Sequence, residues 1–423
     1  MIIIIRFTQK NENTLTMVKI YVIIFCGLNI RGRIKSMLNL HTNSIIENKN
    51  GTGVILNTEQ QILEVCKKFQ IAGEYQSFVL LSSGHINTSY QVFFLRNGEI
   101  KDYILQKINT YVFHDPIAMM DNISSVTEYI RTKIKQKQPT AKRNVLHYSK
   151  TAEGEYYTIL EDGGFWRCCR YIDDSVCFEW TDNLLVVENA GKAFGEFQVY
   201  LADYPVEKLN IVIPHFHNTV MRFETFKKAI ENDLSKRRKE IQPWIDSYLQ
   251  LEEIATRLYR LQKEGVLKLR VTHNDTKPSN VLFDKETLQH LSVIDLDTVM
   301  PGLVACDFGD AIRVIGSTGA EDEQDLAKVA LDMEKYEAFT RGFVGVLHDS
   351  MTQAEKETLA LGAVAMTVEC GIRFLGDYLD GDKYFRVHYP EQNLARAKAH
   401  LILAQDMIKH LDEMQAIVNQ YCK

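Results

Sequence analysis

An α+β chain built in two lobes is predicted by three features of the sequence. Short period-two segments crowd the stretch up to residue 173. Longer segments with apolar residues three and four apart fill the rest, and between them two apolar, β-branched runs frame a polar loop. The first lobe should carry an antiparallel sheet of about five strands, and the second should be mostly helical. The expected divisions are 1–53 for an N-terminal extension, 54–173 for the first lobe and 174–423 for the second.

The extension contains the apolar runs Met1-Ile-Ile-Ile-Ile and Tyr21-Val-Ile-Ile-Phe-Cys26, followed by Asn-rich polar sequence. Neither run approaches the roughly 20 apolar residues that a bilayer crossing needs. A signal peptide from Met17 is the alternative to a natural start at Met37, and the second reading makes 1–53 non-functional or disordered. In the first lobe, 62–69 reads as helix, and 77–81, 89–95 and 102–108 as strands. Asp115-Pro116 reads as an N-cap with proline in the first turn, opening a helix through Met119, Ile123, Val126 and Ile130. Strands 156–160 and 166–172, around the turn Glu161-Asp-Gly-Gly164, complete the sheet. Helices are expected over 184–201, 223–233, 243–264, 325–346, 354–379 and 391–416.

A chain of 423 residues with 45% apolar and 25% charged residues is an ordinary globular one, long enough for two cores. The formal charge of −6, with no Lys/Arg run of the extent that phosphate-backbone binding leaves, argues against a nucleic-acid partner. Eight cysteines without C-x-x-C or Cys/His spacing read as free thiols of a reducing, cytoplasmic compartment. The adjacent Cys168 and Cys169 point to opposite faces of a strand and cannot easily bridge.

The chemistry is concentrated in 270–313. The run Arg270-Val-Thr-His-Asn-Asp275-Thr-Lys-Pro-Ser-Asn280 is followed by Val293-Ile-Asp295-Leu-Asp297, then by Cys306-Asp307-Phe-Gly-Asp310. His-x-Asp with Asn five residues on, then a carboxylate at the end of the next strand, is the layout phosphoryl transfer needs. That reaction asks the protein to position a hydroxyl and to neutralise phosphate charge. Asp275 would accept the hydroxyl proton, His273 would brace the loop, and Asn280 and Asp295 would offer hard oxygens to Mg2+. Asp297 would add a further oxygen, directly or through a neighbour, and Asp307 would tie the loop down. An Asn/Asp-rich surface turn is the competing reading of the same spacing.

His-Asn-Asp-x-Lys-x-x-Asn-Val-Leu-Phe-Asp, Val-Ile-Asp-Leu-Asp-Thr-Val-Met-Pro-Gly and Asp-Phe-Gly-Asp together resemble the aminoglycoside-phosphotransferase-like kinases. Ser83-Gly-His-Ile-Asn87, Asp162-Gly-Gly-x-Trp166-Arg167 and Gly371-Ile-Arg373-Phe-Leu add to the likeness, which spans about 71–409 and is strongest to the N-acetylhexosamine 1-kinases. The resemblance implies a protein-kinase-like fold, ATP as co-substrate and Mg2+. It also implies sugar binding by His85, Arg373 and Tyr384, and adenine contacts from the backbone near Tyr171 and Ile172. Ser83 and Gly84 fall where kinases lay a loop over the phosphates, but with one glycine a plain hairpin turn fits as well. Lys107 is placed to reach phosphates or to lie exposed on its strand. Its acidic partner, if it has one on the following helix, is Asp121 or Glu128.

For Arg373 and Tyr384 the residues alone allow a surface ion pair and an interfacial tyrosine. His215 and His217 form an H-x-H pair that reads as a structural or cleft loop, since no matching metal ligands lie nearby. The function expected is transfer of the γ-phosphoryl of ATP to the anomeric hydroxyl of an N-acetylhexosamine. A kinase for another small alcohol (choline, homoserine or an aminoglycoside) is the first alternative, and an inactive kinase-like binding protein the second. No nucleic acid or membrane is expected as a partner.

Overall fold

The computed structural model describes residues 2–4, 21–23, 53–81, 86–138 and 143–423. It divides into two compact units, Met1–Gln61 and Ile62–Lys423. In the first, β1 (Ile2–Ile4) pairs antiparallel with β2 (Tyr21–Ile23), and helix α1 (Gly53–Lys68) begins. The remainder of the expected extension, Met17 and Met37 included, lies outside the described residues, as do Ser83, Gly84 and His85.

The sheet of the first lobe has five antiparallel strands: β3 (Glu74–Leu81), β4 (Thr88–Arg96), β5 (Glu99–Lys107), β6 (Tyr157–Ile159) and β7 (Phe165–Arg170), in the order β3-β4-β5-β7-β6. Asn97 and Gly98 join β4 to β5 with φ of 53° and 79°. An Asn-Gly pair in a two-residue connection favours a type I′ turn, whose twist matches the strands, so the hairpin runs unbroken from Thr88 to Lys107. Side chains alternate between two cores. Val92, Phe94, Leu105, Trp166 and Cys168 pack with Ile62, Val65 and Phe69, while Phe165 and Cys169 face the other way. Cys168 and Cys169 are accordingly both free and in different cores.

Helix α2 (Pro116–Lys137) is opened by Asp115, whose carboxylate accepts from the Ala118 N–H at 2.9 Å. Met119, Met120, Ile123, Val126 and Ile130 join Phe165 and Cys169 to Val271, Leu296, Val299 and Met300, so this core connects the sheet to the loops of the second lobe. Asn122 adds polar ties, donating to the Val299 and Asn210 carbonyls at 2.9 Å each.

The second lobe runs β8 (Ser175–Val176), α3 (Leu184–Tyr200), α4 (Thr219–Asn232), α5 (Arg238–Gln250), α6 (Glu252–Ala255), α7 (Arg257–Lys263), β9 (Arg270–Thr272), β10 (Val281–Asp284), β11 (His290–Val293), β12 (Met300–Gly302), α8 (Val304–Ile315), α9 (Met333–Leu347), α10 (Gln353–Lys356), α11 (Leu359–Asp380), α12 (Gln392–Lys409) and α13 (Leu411–Tyr421). Five expected helices differ. The stretch 223–233 starts at Thr219, 243–264 is broken into pieces and starts earlier, α9 starts at Met333 where Asp332 caps it, 354–379 divides at 357–358, and 391–416 divides at His410. Helix α8 was not expected, although Val304, Phe308, Ala311, Ile312 and Ile315 form a buried helical stripe.

Helices α8 and α11 cross backbone to backbone. A methyl group on Gly309 would lie 2.1 Å from the Gly362 carbonyl oxygen, and one on Gly362 2.0 Å from that of Ala305. This contact fixes Asp307 and Asp310 of α8 relative to Glu369 and Arg373 of α11. Helix α11 is long and apolar enough to cross a membrane, but 89% of its apolar window is buried inside the fold, as befits a central core helix.

Candidate active site

Antiparallel pairing of β9 with β12, Thr272 opposite Met300, and of β10 with β11, Val281 opposite Val293, brings residues 273–280 beside residues 294–299. Asp275 and Asp295 thus come from loops at the ends of short strands on a rigid base. Asn274 and Asp295 have left-handed φ of 64° and 60°, a conformation that asparagine and aspartate tolerate better than most side chains.

The loop is held by named groups. Asp307 Oδ2 accepts from the His273 N–H at 2.9 Å and Oδ1 from the Asn274 N–H at 2.8 Å, while Gln198 donates to Oδ2 at 2.7 Å. Burial nevertheless pushes the Asp307 carboxyl above its ordinary range. Asp310 accepts from the Thr276 N–H at 3.0 Å and is paired with Arg313 at 2.8 Å. His273 is fully buried, edge-on to Phe194 and Phe197. Its Nε2 faces the Ile294 carbonyl at 2.9 Å and its Nδ1 accepts from the Asp275 N–H at 3.2 Å, which fixes the neutral Nε2–H tautomer.

Asp275 is part-exposed. Its Oδ2 receives the Asn280 amide at 2.9 Å and the Lys277 ammonium at 3.0 Å. Burial alone would raise its pKa, but Lys277 and Asn280 outweigh it and hold the carboxyl below its usual range. Lys277, which the spacing argument left without a role, is held above its ordinary pKa, burial notwithstanding, by Asp275.

Asp295 has no hydrogen-bond or ion-pair partner among the described residues. It is exposed, yet crowding by the protein and the nearby Asp297 and Asp275 carboxylates push its pKa to about 6. Asn280 uses its amide nitrogen on Asp275, leaving Oδ1 without a donor among the described residues. One unpaired carboxylate in an acidic neighbourhood and one spare amide oxygen are the donors a Mg2+ bound mainly to phosphates and water requires. Among the described residues no cluster of three or more His, Cys, Asp or Glu is arranged for a metal, so no all-protein cage is present.

Asp297, expected to add an oxygen directly or through a neighbour, has both oxygens engaged by protein donors. It is buried, with Oδ1 at 2.5 Å from the Arg167 guanidinium and Oδ2 receiving the Asn87 amide at 2.6 Å. Both oxygens are turned to the first lobe. Arg167 also donates to Gln106 at 2.9 Å, and Asn87 accepts from the Asn109 N–H at 2.9 Å. Lys107 likewise differs. Its partner is Asp162, in the β6–β7 turn, at 3.3 Å. Glu128 is engaged by Arg131 and Tyr156, and Asp121 is exposed. At the connection between lobes, the Tyr171 N–H is bonded to the Asp102 carbonyl at 3.1 Å and the Ile172 carbonyl accepts from the Ser175 hydroxyl at 2.6 Å. The Tyr171 carbonyl and Ile172 N–H have no such partners among the described residues.

Arg373 lies one turn beyond Glu369 on α11, 6.0 Å from the Tyr384 ring centre and 5.4 Å from that of Phe385. No carboxylate pairs with it among the described residues. The Tyr384 loop is anchored by Asp377, whose oxygens accept from the N–H groups of Lys383, Tyr384 and Phe385 at 2.8 to 2.9 Å. Glu369 connects this side to the loop through His217, which lies 3.0 Å from Glu369 and 3.1 Å from the Asn274 carbonyl. Sequence reasoning left His217, Glu369, Asp377 and Lys277 without roles. Of these, only Lys277 stood at a revealing spacing.

The phosphotransferase enzyme family model matches residues 78–341, well over half of the chain. Similar solved structures include a choline kinase from Cryptosporidium parvum Iowa II, with a TM-score of 0.52 and 14% identity over 86% of this chain and 99% of that one. The microcompartment-associated aminopropanol kinase has a TM-score of 0.50 and 14% identity, over 85% and 98%. A Plasmodium vivax ethanolamine kinase has a TM-score of 0.50 and 14% identity, over 89% and 96%. At such identities the structures speak for the fold alone, a kinase-like sheet followed by a largely helical lobe. With the family match across both strand pairs and the Asp275 loop, the chain belongs to the phosphotransferase enzyme family.

Proposed function

We propose that the protein transfers the γ-phosphoryl group of ATP to the anomeric hydroxyl of an N-acetylhexosamine, N-acetylglucosamine or N-acetylgalactosamine. The sugar oxygen bonds to the γ-phosphorus, the bond from that phosphorus to the β,γ-bridging oxygen breaks, and ADP leaves. Asp275 orients the hydroxyl and takes its proton. The anomeric hydroxyl is more acidic than its neighbours, so a carboxylate held ionised by Lys277 and Asn280 is an adequate base. Asn280 and Asp295 hold Mg2+, which when bound offsets phosphate charge. Lys107 reaches the phosphates, Ser83 and Gly84 belong to the loop over them, and the backbone at Tyr171 and Ile172 receives adenine. His85, Arg373 and Tyr384 bind the sugar. The lobes divide near residue 173, with an intracellular location where ATP is available.

The observation that carries the choice of acceptor is Arg373. Among the described residues it has no carboxylate partner, it is flanked by two aromatic rings, and Arg222 is close enough that its own guanidinium is depressed, first by burial and then by Arg373. An unpaired guanidinium with a second one nearby disfavours choline, ethanolamine or an aminoglycoside and suits hydroxyls and an amide carbonyl. The test is a panel of N-acetylhexosamines, choline, homoserine and aminoglycosides with Mg-ATP, the product identified by mass and phosphorus NMR. A sugar 1-phosphate is expected. Phosphorylation of a cationic alcohol alone, or at the sugar 6-position, would overturn the reading.

A further inference from the structure

We infer that His217 is a positioning residue for the transfer, a part-buried imidazolium that fixes the peptide joining Asn274 to Asp275 from the side opposite His273. The inference rests on the reading of Asp275 as the base. That peptide is gripped at both ends. Its carbonyl oxygen faces His217 Nε2 at 3.1 Å, and its N–H donates to His273 Nδ1 at 3.2 Å. With the Asn274 N–H on Asp307 and its side chain bonded to Thr272 and Thr298, no rotation of the Asn274–Asp275 peptide is left without a broken contact. The direction in which the Asp275 side chain leaves the backbone is set by that plane.

The two rings need opposite protonation states. His273 accepts through Nδ1 and must be neutral. A carbonyl oxygen only accepts, so His217 carries a proton on Nε2. Its Nδ1 faces Glu369 Oε1 at 3.0 Å, and one proton lies between them. A carboxylic acid gives up its proton about two units below imidazolium, so this proton belongs to the ring. The Thr219 hydroxyl, donating to Glu369 Oε2 at 2.6 Å, favours the carboxylate further. Burial opposes charge on both groups, yet their pairing outweighs it, raising His217 and lowering Glu369. Asp310 on α8 also favours the cation, Arg222 on α4 favours the carboxylate, and Cys306 beside Glu369 stays a thiol because burial pushes it up. His217 gains charge-dependent contacts, so the brace is complete at low pH and is lost as pH rises through the raised value.

The test uses the full chain with 15N-labelled histidine and aspartate. Both ring nitrogens of His217, identified by their loss in His217→Asn, should be protonated at pH 7.5, and the Asp275 amide signal should move in that variant. These signals need no acceptor, so they can be read even if the proposed substrate is wrong. With whichever acceptor is turned over, water included, His217→Asn should lower kcat about tenfold to hundredfold, as a slight misplacement of a reacting group does. KM for ATP should stay within about twofold, as expected for a group that acts only through Asp275. Glu369→Gln, which allows a neutral ring, should move the alkaline limb of kcat to lower pH. A neutral His217 ring at pH 7.5, an unmoved Asp275 amide, or an unchanged kcat in His217→Asn would each overturn the inference.

Discussion

Arg167 of β7 and Asp297 of the 294–299 loop meet at 2.5 Å with side chains only 2% and 3% exposed, although 130 residues separate them. The pair joins the sheet of the first lobe to the loop that carries Asp295. Because Asp297 also takes the Asn87 amide, the strand following residues 82–85 is tied to the same carboxylate.

A buried ion pair is costly to break from one side, since the surviving charge is left in a low-dielectric site. Arg167→Met and Asp297→Leu should each lower the unfolding free energy by about 3–5 kcal/mol. The double variant should recover a large part of that loss. Urea denaturation of the three variants checks this, and a double variant as unstable as the sum of the singles would contradict it.

Asp275→Asn retains the size of the side chain but removes the proton acceptor. Turnover should fall by about 10² to 10⁴. Binding of Mg-ATP should persist, because Asn280, Asp295 and Lys107 are untouched. A rise in apparent melting temperature with Mg-ATP, equal to that of the unaltered protein, reports that retention. Near-normal turnover would remove Asp275 from the role of base.

The spacing of His273, Asp275, Asn280 and Asp295 could be read from the chain because one short loop and the end of one strand deliver all four. So could the sheet, whose strands alternate cleanly and whose Asn97-Gly98 turn is a local signal. What sequence could not reveal depends on distant packing. His217 reaches the Asn274 carbonyl across 57 residues within the second lobe and Arg167 reaches Asp297 across 130 between the lobes, each without local pattern. Helix α8 was missed for another reason, since the acids at 307 and 310 drew attention from an apolar stripe at 304, 308, 311 and 315. Both acids lie on one side of that stripe, under the loop they hold.

Gly309 is the point where that helix touches α11, and it stands between the two acids. Gly309→Ala would drive a methyl group to 2.1 Å from the Gly362 carbonyl oxygen, which only a backbone shift can relieve. Overpacking of this kind costs about 1–3 kcal/mol, more where main chain must move. The shift would also drag Asp307 from the His273 and Asn274 N–H groups, so kcat should fall with stability, whereas Gly345→Ala, on the exposed face of α9 and meeting nothing, should leave kcat unchanged and raise stability by about 0.5–1 kcal/mol. Thermal unfolding and steady-state rates of the two variants make the comparison.

His400 of α12 gives the protein an acid weakness. Its ring is buried, with Nδ1 donating to the Arg396 carbonyl at 2.8 Å and Nε2 turned to Arg313, and burial with Arg313 depresses its pKa to about 4. The unfolded chain takes up this proton near pH 6.5. The folded chain refuses it until about pH 4, so stability is complete above the unfolded value and is lost as pH falls between the two. The slope contributed by one such histidine reaches about 1.4 kcal/mol per pH unit. His400→Gln, which can still donate to one carbonyl and accept from Arg313, should lose less stability than the unaltered protein between pH 6.5 and 5. Urea midpoints at both pH values measure the difference, and parallel losses in the two proteins would mean that another group carries the acid sensitivity.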